Sequence, residues 1–191
     1  MTANDESRPT ETSENQPGSR SGISAIFWTG VLLGIGIIGF LDETLLHQLL
    51  QWHTFYWNTD QHGRILSDGL FHAFSTLVLL WGALRLWRSR NAWTSPACYA
   101  IVAAIFIGAG AFDLYDGIVQ HALLHFHLVN ELVCSTPASM RDTVLGICRN
   151  DIPYEVVFDA VALFLLIVGI LWWRRVRREL EGLTFTGAEK R

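Results

Sequence analysis

Gly34–His53, with the sequence GIGIIGFLDETLLHQLLQWH, recurs 74 positions later as Gly108–His127, GAGAFDLYDGIVQHALLHFH. Seven of the twenty aligned positions are identical, and three of these form the pattern Asp-x4-His-x5-His. Leucine and glycine matches are common in apolar sequence, whereas an acid and two imidazoles at fixed spacing are not. Because a repeat constrains the architecture of the whole chain, the sequence predicts two copies of one hydrophobic helical unit.

Four long apolar windows predict membrane spans in a chain that is 50% hydrophobic. Residues 23–41 are uncharged, which suffices to cross a hydrocarbon core of ~30 Å at ~1.5 Å per residue. The windows 69–84, 97–112 and 160–173 also lack Asp, Glu, Lys and Arg. A soluble helical bundle would need regular polar faces, which these windows lack. The predicted fold is therefore an all-α, integral membrane four-helix bundle built from two repeated hairpins.

The predicted domain organisation is a transmembrane domain between two tails. Polar composition predicts a disordered tail at the N-terminus. Ser67 is a candidate N-cap for the second helix, while Asp151 and Pro153 suit the start of the fourth. The predicted boundaries are 1–22 for the tail, 23–178 for the transmembrane domain with helices at about 22–52, 67–88, 96–128 and 152–175, and 179–191 for a second tail.

The distribution of arginine predicts the orientation of the chain in the membrane. Three arginines lie between the second and third helices, and four follow the fourth helix (Arg85, Arg88, Arg90, Arg174, Arg175, Arg177 and Arg178). The two opposite loops hold only Arg64, Arg141 and Arg149. The positive-inside rule then places both termini in the cytoplasm and both long loops outside a bacterial inner membrane.

Cys134 and Cys148 lie in the same predicted outer loop. An oxidising compartment favours a disulfide between them. The alternatives are two free thiols or two thiolate ligands for a soft metal.

The polar residues of the predicted bundle all fall in its outer half. Asp42 lies about 28 Å along the first helix from its inner end. The inner halves, such as YAIVAAIFIG, contain no titratable relay. A channel or proton pump needs polar groups across the whole membrane thickness, so the distribution disfavours transport and favours a site that opens outwards.

The spacing of these residues predicts which of them share a helix face. Asp68 and His72 are separated by four residues, as are Glu155 and Asp159, so each pair lies on one face. The flanking sequences DGLFHA and EVVFDA correspond, with Asp159 in place of His72. Asp42 and His47, like Asp116 and His121, are five apart. That spacing separates them on a straight α-helix unless a bulge rewinds it.

Imidazoles and carboxylates that converge from four helices are typical of a transition-metal site in a bundle core. The predicted ligands are His47, His72, Asp116, His121, Glu155 and Asp159, which would suit zinc, copper(II) or iron. Asp42 and Asp68 are predicted as ligands or orienting partners, and Asp113, Gln51 and His125 as orienting partners. The alternative is a hydrogen-bonded polar cluster without metal.

The other histidines and the glycine pairs have simpler interpretations. His53, His62 and His127 are predicted to be surface residues at the water interface rather than ligands. Gly34 and Gly36, like Gly108 and Gly110, are predicted to allow close helix packing.

The strings GFLDETLLHQLLQWH, DGLFHAF and LYDGIVQHALLHFH resemble a widespread bacterial family of small four-span integral membrane proteins of unknown function. The resemblance covers roughly residues 25–175. It implies an inner-membrane location and an association with respiratory or copper-related assembly, and it assigns no catalytic residue. Glu43-Thr44 departs from the second copy, which has Gly117-Ile118 there.

The leading functional prediction is metal binding or handling at the outer face, such as copper delivery to a respiratory enzyme. Two methionines, Met1 and Met140, argue against a copper(I) shuttle. The first alternative is a metalloenzyme, either a zinc hydrolase or a dinuclear oxidase, with Glu155 as the candidate base. The second is a haem protein with axial His47 and His121, or a structural subunit. Predicted partners are membrane lipid and a membrane protein, with no nucleic acid.

Overall fold

The computed structural model describes residues 19–90 and 94–188. Most of the predicted N-terminal tail, residues 1–18, lies outside the described residues, as do residues 189–191 of the predicted C-terminal tail. Ser19 is the N-cap of the first helix, and its hydroxyl accepts a hydrogen bond from Gly22 N at 3.1 Å.

The described chain is almost entirely helical. The long helices are α1 (Arg20–Asp42), α2 (Gln61–Ser89), α3 (Ser95–Tyr115) and α5 (Ile152–Ala188). Two π-helices, π1 (Glu43–Leu49) and π2 (Asp116–Leu123), continue α1 and α3. Between π2 and α5 lie a 3₁₀ turn (Glu131–Cys134), the short helix α4 (Pro137–Arg141) and the strands β1 (Thr143–Val144) and β2 (Ile147–Cys148), which pair antiparallel.

Four helical segments among the described residues are long and apolar enough to cross a membrane. They are Arg20–Leu49, Gln61–Ser89, Ser95–Leu123 and Ile152–Gly182. Large apolar side chains such as Leu77, Trp81 and Phe164 are exposed on α2 and α5, as expected of surfaces that contact lipid. The prediction of an all-α membrane helical bundle is confirmed.

The second helix begins earlier than its sequence predicted. Its N-cap is Asp60, whose Oδ1 accepts from Gly63 N at 2.8 Å, and not Ser67. Ser67 lies inside the helix and donates its hydroxyl hydrogen to Arg64 O. The prediction followed the edge of the apolar window, but the helix extends beyond that window through a polar turn.

The ends of the other helices also differ from the prediction. The first and third helical segments end at Leu49 and Leu123 rather than near residues 52 and 128. A left-handed residue follows each of them, Gln51 at φ 50° and His125 at φ 51°, and it turns the chain out of the helix. The last helix continues to Ala188, beyond residue 175, because its Arg-rich end is a good helix former and Arg177 pairs with Glu181 at 2.7 Å.

Helices α1 and α3 pack against each other at the centre, with α2 against α1 and α5 against α3. Glycines make the close approach possible. A Cβ on Gly34 would collide with the backbone of Ile105, and one on Gly108 with the backbone of Val31. Gly36 faces the backbone of Leu79 in α2 in the same way.

The loop between π2 and α5 is closed by a disulfide. Cys134 and Cys148 are bonded and buried beside Leu128. The turn between the two strands places Leu145 and Gly146 in the left-handed region, at φ 54° and 86°, as a two-residue type I′ turn requires.

Candidate metal centre

The π-helices place residues that are five apart on the same side of the chain. In a π-helix the backbone N–H bonds to the carbonyl five residues earlier, so each turn is wider than in an α-helix. In consequence His47 Nε2 lies 3.3 Å from Asp42 Oδ2, and His121 Nε2 lies 3.2 Å from Asp116 Oδ2. The bulge that would unite each pair is present in both segments.

The chain reverses after each π-helix and brings a second histidine back. Trp52 N bonds to Leu46 O at 2.8 Å, and Phe126 N bonds to Gln120 O at 2.9 Å, at positions 74 residues apart. These bonds direct His53 and His127 inwards, where their exposed fractions are 3% and 1%. The prediction that both are surface residues is therefore wrong. They lie beyond the ends of their helices in sequence, but the chain turns back there and buries them.

Four imidazole rings form one buried cluster. The centroids of His47 and His53 are 4.2 Å apart, and those of His121 and His127 are 4.3 Å apart. His53 and His127 stack on each other at 4.8 Å and join the two pairs. We call these four residues the imidazole cluster.

Three groups of described residues could hold a metal ion. One of them, Glu43, His47 and Asp68, lies in the first half alone and shares His47 with a second group. The other two groups are triads that each join two histidines of the imidazole cluster to an aspartate. They are Asp42, His47 and His53 in the first half and Asp116, His121 and His127 in the second. Within each triad the ligand atoms lie within 4.8 Å of one another. A tetrahedral ion with bonds of ~2.0 Å holds its ligands about 3.3 Å apart, which matches the spacing of imidazole and carboxylate in both triads.

Carboxylates also contact Nδ1 of His47 and of His121, the ring nitrogen that does not face the aspartate of the triad. His47 Nδ1 lies 3.1 Å from Asp68 Oδ1 and 3.2 Å from Glu43 Oε2. His121 Nδ1 lies 3.0 Å from Glu155 Oε2. A carboxylate on one ring nitrogen fixes the ring and raises the basicity of the other, as the outer partners of metal-bound histidines do.

Among the described residues, several nitrogen and oxygen atoms of the triads are buried without a well-directed hydrogen bond, although Asp42 Oδ2 lies 3.3 Å from His47 Nε2 and Asp116 Oδ2 lies 3.2 Å from His121 Nε2. These include Nε2 of His47, His53 and His121, Nδ1 of His127, and Oδ1 of Asp42. Buried polar atoms are nearly always satisfied in proteins, so a group of such atoms at one site is suited to bind water or a metal ion. Their chemistry, imidazole nitrogen and carboxylate oxygen, fits zinc, copper(II) or iron.

His53 is held as a neutral imidazole. Its Nδ1 lies 2.8 Å from Val129 O, and since a carbonyl only accepts, this nitrogen carries the proton. Burial lowers the pKa of His53 well below its usual value, and the nearby His127 and His47 lower it further. The lone pair on Nε2 is thus available to a metal at neutral pH.

Acidic side chains outside the membrane-spanning segments hold the loops over the cluster. Asp151 is fully buried, and burial raises its pKa to about 6, with Glu155 as a contributing neighbour. Burial also raises the pKa of Glu131, which accepts from Thr54 N at 3.3 Å and pairs with Arg64 at 3.5 Å.

Two of the predicted metal ligands, His72 and Asp159, are not members of the triads. The side chain of His72 is exposed and contacts the ring of Phe40 at 5.4 Å. Asp159 is partly buried, and its Oδ1 lies where a side chain on Gly117 would be. The other predicted ligands, His47, Asp116, His121 and Glu155, come together. Glu155, however, contacts Nδ1 of His121, the ring nitrogen opposite the one that faces Asp116.

The predicted orienting partners are likewise divided. Asp42 and Asp68 contact His47, and Asp113 is buried in α3 one turn before Asp116. Gln51 and His125 are exposed. The two exposed residues are the left-handed positions that redirect the chain, so their backbones shape the cluster while their side chains do not enter it.

The two halves differ at the position of Glu43. Glu43 in π1 binds His47, while the position 74 residues later is Gly117, against which Asp159 of α5 rests. The extra carboxylate therefore comes from the first helix of one half and from the second helix of the other. The sequence shows the difference at Glu43 but does not indicate which side chain Glu43 contacts.

The sequence contains a signal for the two triad members that are predicted as surface residues. His53 and His127 are both part of the repeated Asp-x4-His-x5-His pattern. Repetition of the second histidine at the same spacing could have marked it as part of the site.

Together the fold and the cluster define a helical membrane protein with buried His and Asp groups that could hold a metal ion. The family described as "Predicted membrane protein (DUF2243)", which has no assigned function, matches residues 29–176. The chain belongs to this family. No curated protein and no solved structure matches it.

Proposed function

We propose that this protein binds transition metal ions in the imidazole cluster, one ion in each triad, and handles metal at the outer face of a bacterial inner membrane. The observation that supports this most strongly is the pair of triads, Asp42/His47/His53 and Asp116/His121/His127, which have matching spacing and buried polar atoms without a well-directed hydrogen bond. The proposal includes an internal repeat with a pseudo-twofold axis between α1 and α3, and both termini in the cytoplasm.

The charge balance of the membrane-spanning segments supports bound cations. Seven carboxylates lie at the same end of the four spans as the cluster: Asp42, Glu43, Asp68, Asp113, Asp116, Glu155 and Asp159. The groups that the structure pairs with them in these segments are three buried imidazoles, those of His47, His121 and His127. Isolated charge within a membrane is costly, so protons or metal ions must balance the remaining acids.

The donor set favours zinc, copper(II) or iron over copper(I). Thiolate and thioether ligands select copper(I), whereas imidazole and carboxylate suit the other three ions. Cys134 and Cys148 form a disulfide and therefore offer no thiolate to a metal ion. A role in copper delivery would thus concern copper(II), taken from or passed to a membrane-protein partner at the outer face.

A membrane metalloenzyme is the second candidate, and the composition of the triads favours it. Two histidines and one carboxylate with open positions form the ligand set of many non-haem iron oxygenases and of some zinc hydrolases. Two such triads side by side would suit a dinuclear oxidase-type centre. In an enzyme, Glu155→Gln should abolish turnover while metal stays bound, whereas a pure binder should lose only affinity.

The packing of the rings gives no support to a haem group. His53 and His127 stack on each other between His47 and His121, at centroid distances of 4.2 to 4.8 Å along the row. A porphyrin plane would need the space that these two rings fill.

A cobalt titration of the metal-free protein tests the proposal. Co²⁺ replaces zinc in sites of this kind and has visible absorption that depends on coordination. We expect the absorption to saturate near ~2 equivalents, in keeping with one ion per triad of three ligands. Saturation at about 1 equivalent would contradict the two-ion proposal, and absence of binding would contradict a metal function altogether.

A further inference from the structure

The ring of His53 is oriented by a segment of the opposite half of the protein. Its Nδ1 donates to Val129 O at 2.8 Å, across 76 positions of sequence. This bond determines which nitrogen of His53 faces Asp42 and His47. The position of the Val129 carbonyl is therefore part of the geometry of the first triad.

Asp151 fixes the peptide units on both sides of Val129. Its Oδ2 accepts from Val129 N at 3.1 Å, and its Oδ1 accepts from Asn130 N at 2.8 Å. The residue is 0% exposed. Its own backbone joins the end of β2 to the start of α5, because Asp151 N bonds to Cys148 O and Glu155 N bonds to Asp151 O.

The corresponding bonds in the first half depend on a single carboxylate. Phe55 lies 74 positions before Val129, and Phe55 N donates to Asp68 Oδ1 at 2.7 Å. The same oxygen lies 3.1 Å from His47 Nδ1. In the second half Glu155 contacts the histidine, His121, and Asp151 accepts from the loop backbone. Asp68 makes both kinds of contact in the first half.

We infer that Asp151 is a positioning residue of the metal centre, which fixes the tautomer of His53 through the Val129 carbonyl and so presents Nε2 of His53 to the ion. The link to metal affinity rests on the proposed function, whereas the link to the tautomer does not. Only an aspartate accepts from two consecutive N–H groups with two oxygens here. Asparagine retains one acceptor and alanine retains none.

Nitrogen-15 NMR of the histidines in the metal-free protein measures the tautomer directly. The samples are the parent, Asp151→Ala, Asp151→Asn and the control Asp142→Ala, at a pH well above the pKa of Asp151. Asp142 lies in the same loop but is exposed and bonded to Arg149 at 3.0 Å. His127 is an internal control, because its Nδ1 has no hydrogen-bond partner among the described residues.

We expect His53 to be protonated at Nδ1 in the parent and in Asp142→Ala, and to become a mixture of tautomers in Asp151→Ala. Asp151→Asn should fall between them and serves as the test variant if Asp151→Ala does not fold. Affinity for Co²⁺ should fall by ~10- to 100-fold in Asp151→Ala, as for other outer partners of metal ligands. The tautomer of His127 should not change.

A folded Asp151 variant whose His53 tautomer matches the parent would overturn the inference. If the parent binds Co²⁺, an Asp151→Ala affinity for Co²⁺ that equals that of Asp142→Ala would overturn the role of Asp151 in the metal centre. If the tautomer changes as expected and the parent binds no metal, the proposed function fails and the positioning of His53 by Asp151 stands.

Discussion

Replacing His121 with alanine is expected to lower the affinity for Co²⁺ by more than about 100-fold, because loss of a ligand exceeds the ~10- to 100-fold effect of losing an outer partner. The ring is 0% exposed and contacts carboxylates on both nitrogens, Asp116 at 3.2 Å and Glu155 at 3.0 Å. Equilibrium titration of the metal-free protein measures the effect.

His72→Ala is the matched control for this substitution. His72 is also an imidazole in a membrane span, but its side chain is exposed and packs on Phe40. We expect this variant to bind Co²⁺ as the parent does. Size-exclusion profiles of both variants verify that they are folded. Equal losses of affinity in the two variants would contradict the assignment of the triads.

Gly34→Leu is expected to prevent α1 and α3 from packing, with a loss of more than about 3 kcal/mol of stability. Overpacking in a core usually costs ~1–3 kcal/mol, because side chains can shift. Here the added carbon would meet the backbone of Ile105 and Ala109, which cannot move without separating the two central helices. Because the cluster lies on the continuations of these helices, metal binding should be lost as well.

Gly69→Leu provides the matched control. Gly69 is also a glycine within a long helix, but a Cβ there would meet nothing within 4 Å. Leucine is a better helix former than glycine, so this variant should be as stable as the parent or slightly more stable. Thermal unfolding in detergent compares the two. A similar melting temperature for Gly34→Leu and Gly69→Leu would refute the role of glycine at the central contact.

Much of the fold follows from the distribution of apolar residues. The four apolar windows predict four spans because a membrane requires each span to satisfy its own backbone hydrogen bonds. Helix ends were predicted less well, since Asp60 and the polar turn after it lie outside the apolar window and still cap α2. Gln51 and His125 could not be recognised, because neither residue type marks a left-handed turn as glycine does.

The site was predicted in its chemistry but only partly in its members. The spacing of Asp42 and His47 required a rewound helix, and π1 supplies it. The burial of His53 and His127 could not be predicted from their distance along a helix, because the chain turns back at the end of each helix. His72 is predicted as a ligand because it lies four residues from Asp68, but its side chain is exposed on the outside of α2.

The most direct test of the central claim is the metal content of the purified protein. Elemental mass spectrometry of the parent, purified in mild detergent without added metal, should give about 2 equivalents of one transition metal per chain, one for each triad. The double variant His47→Ala/His121→Ala should retain none, while His62→Ala, at an exposed histidine, should retain the full amount. A parent with no metal above background, or a double variant with the same content as the parent, would contradict the account.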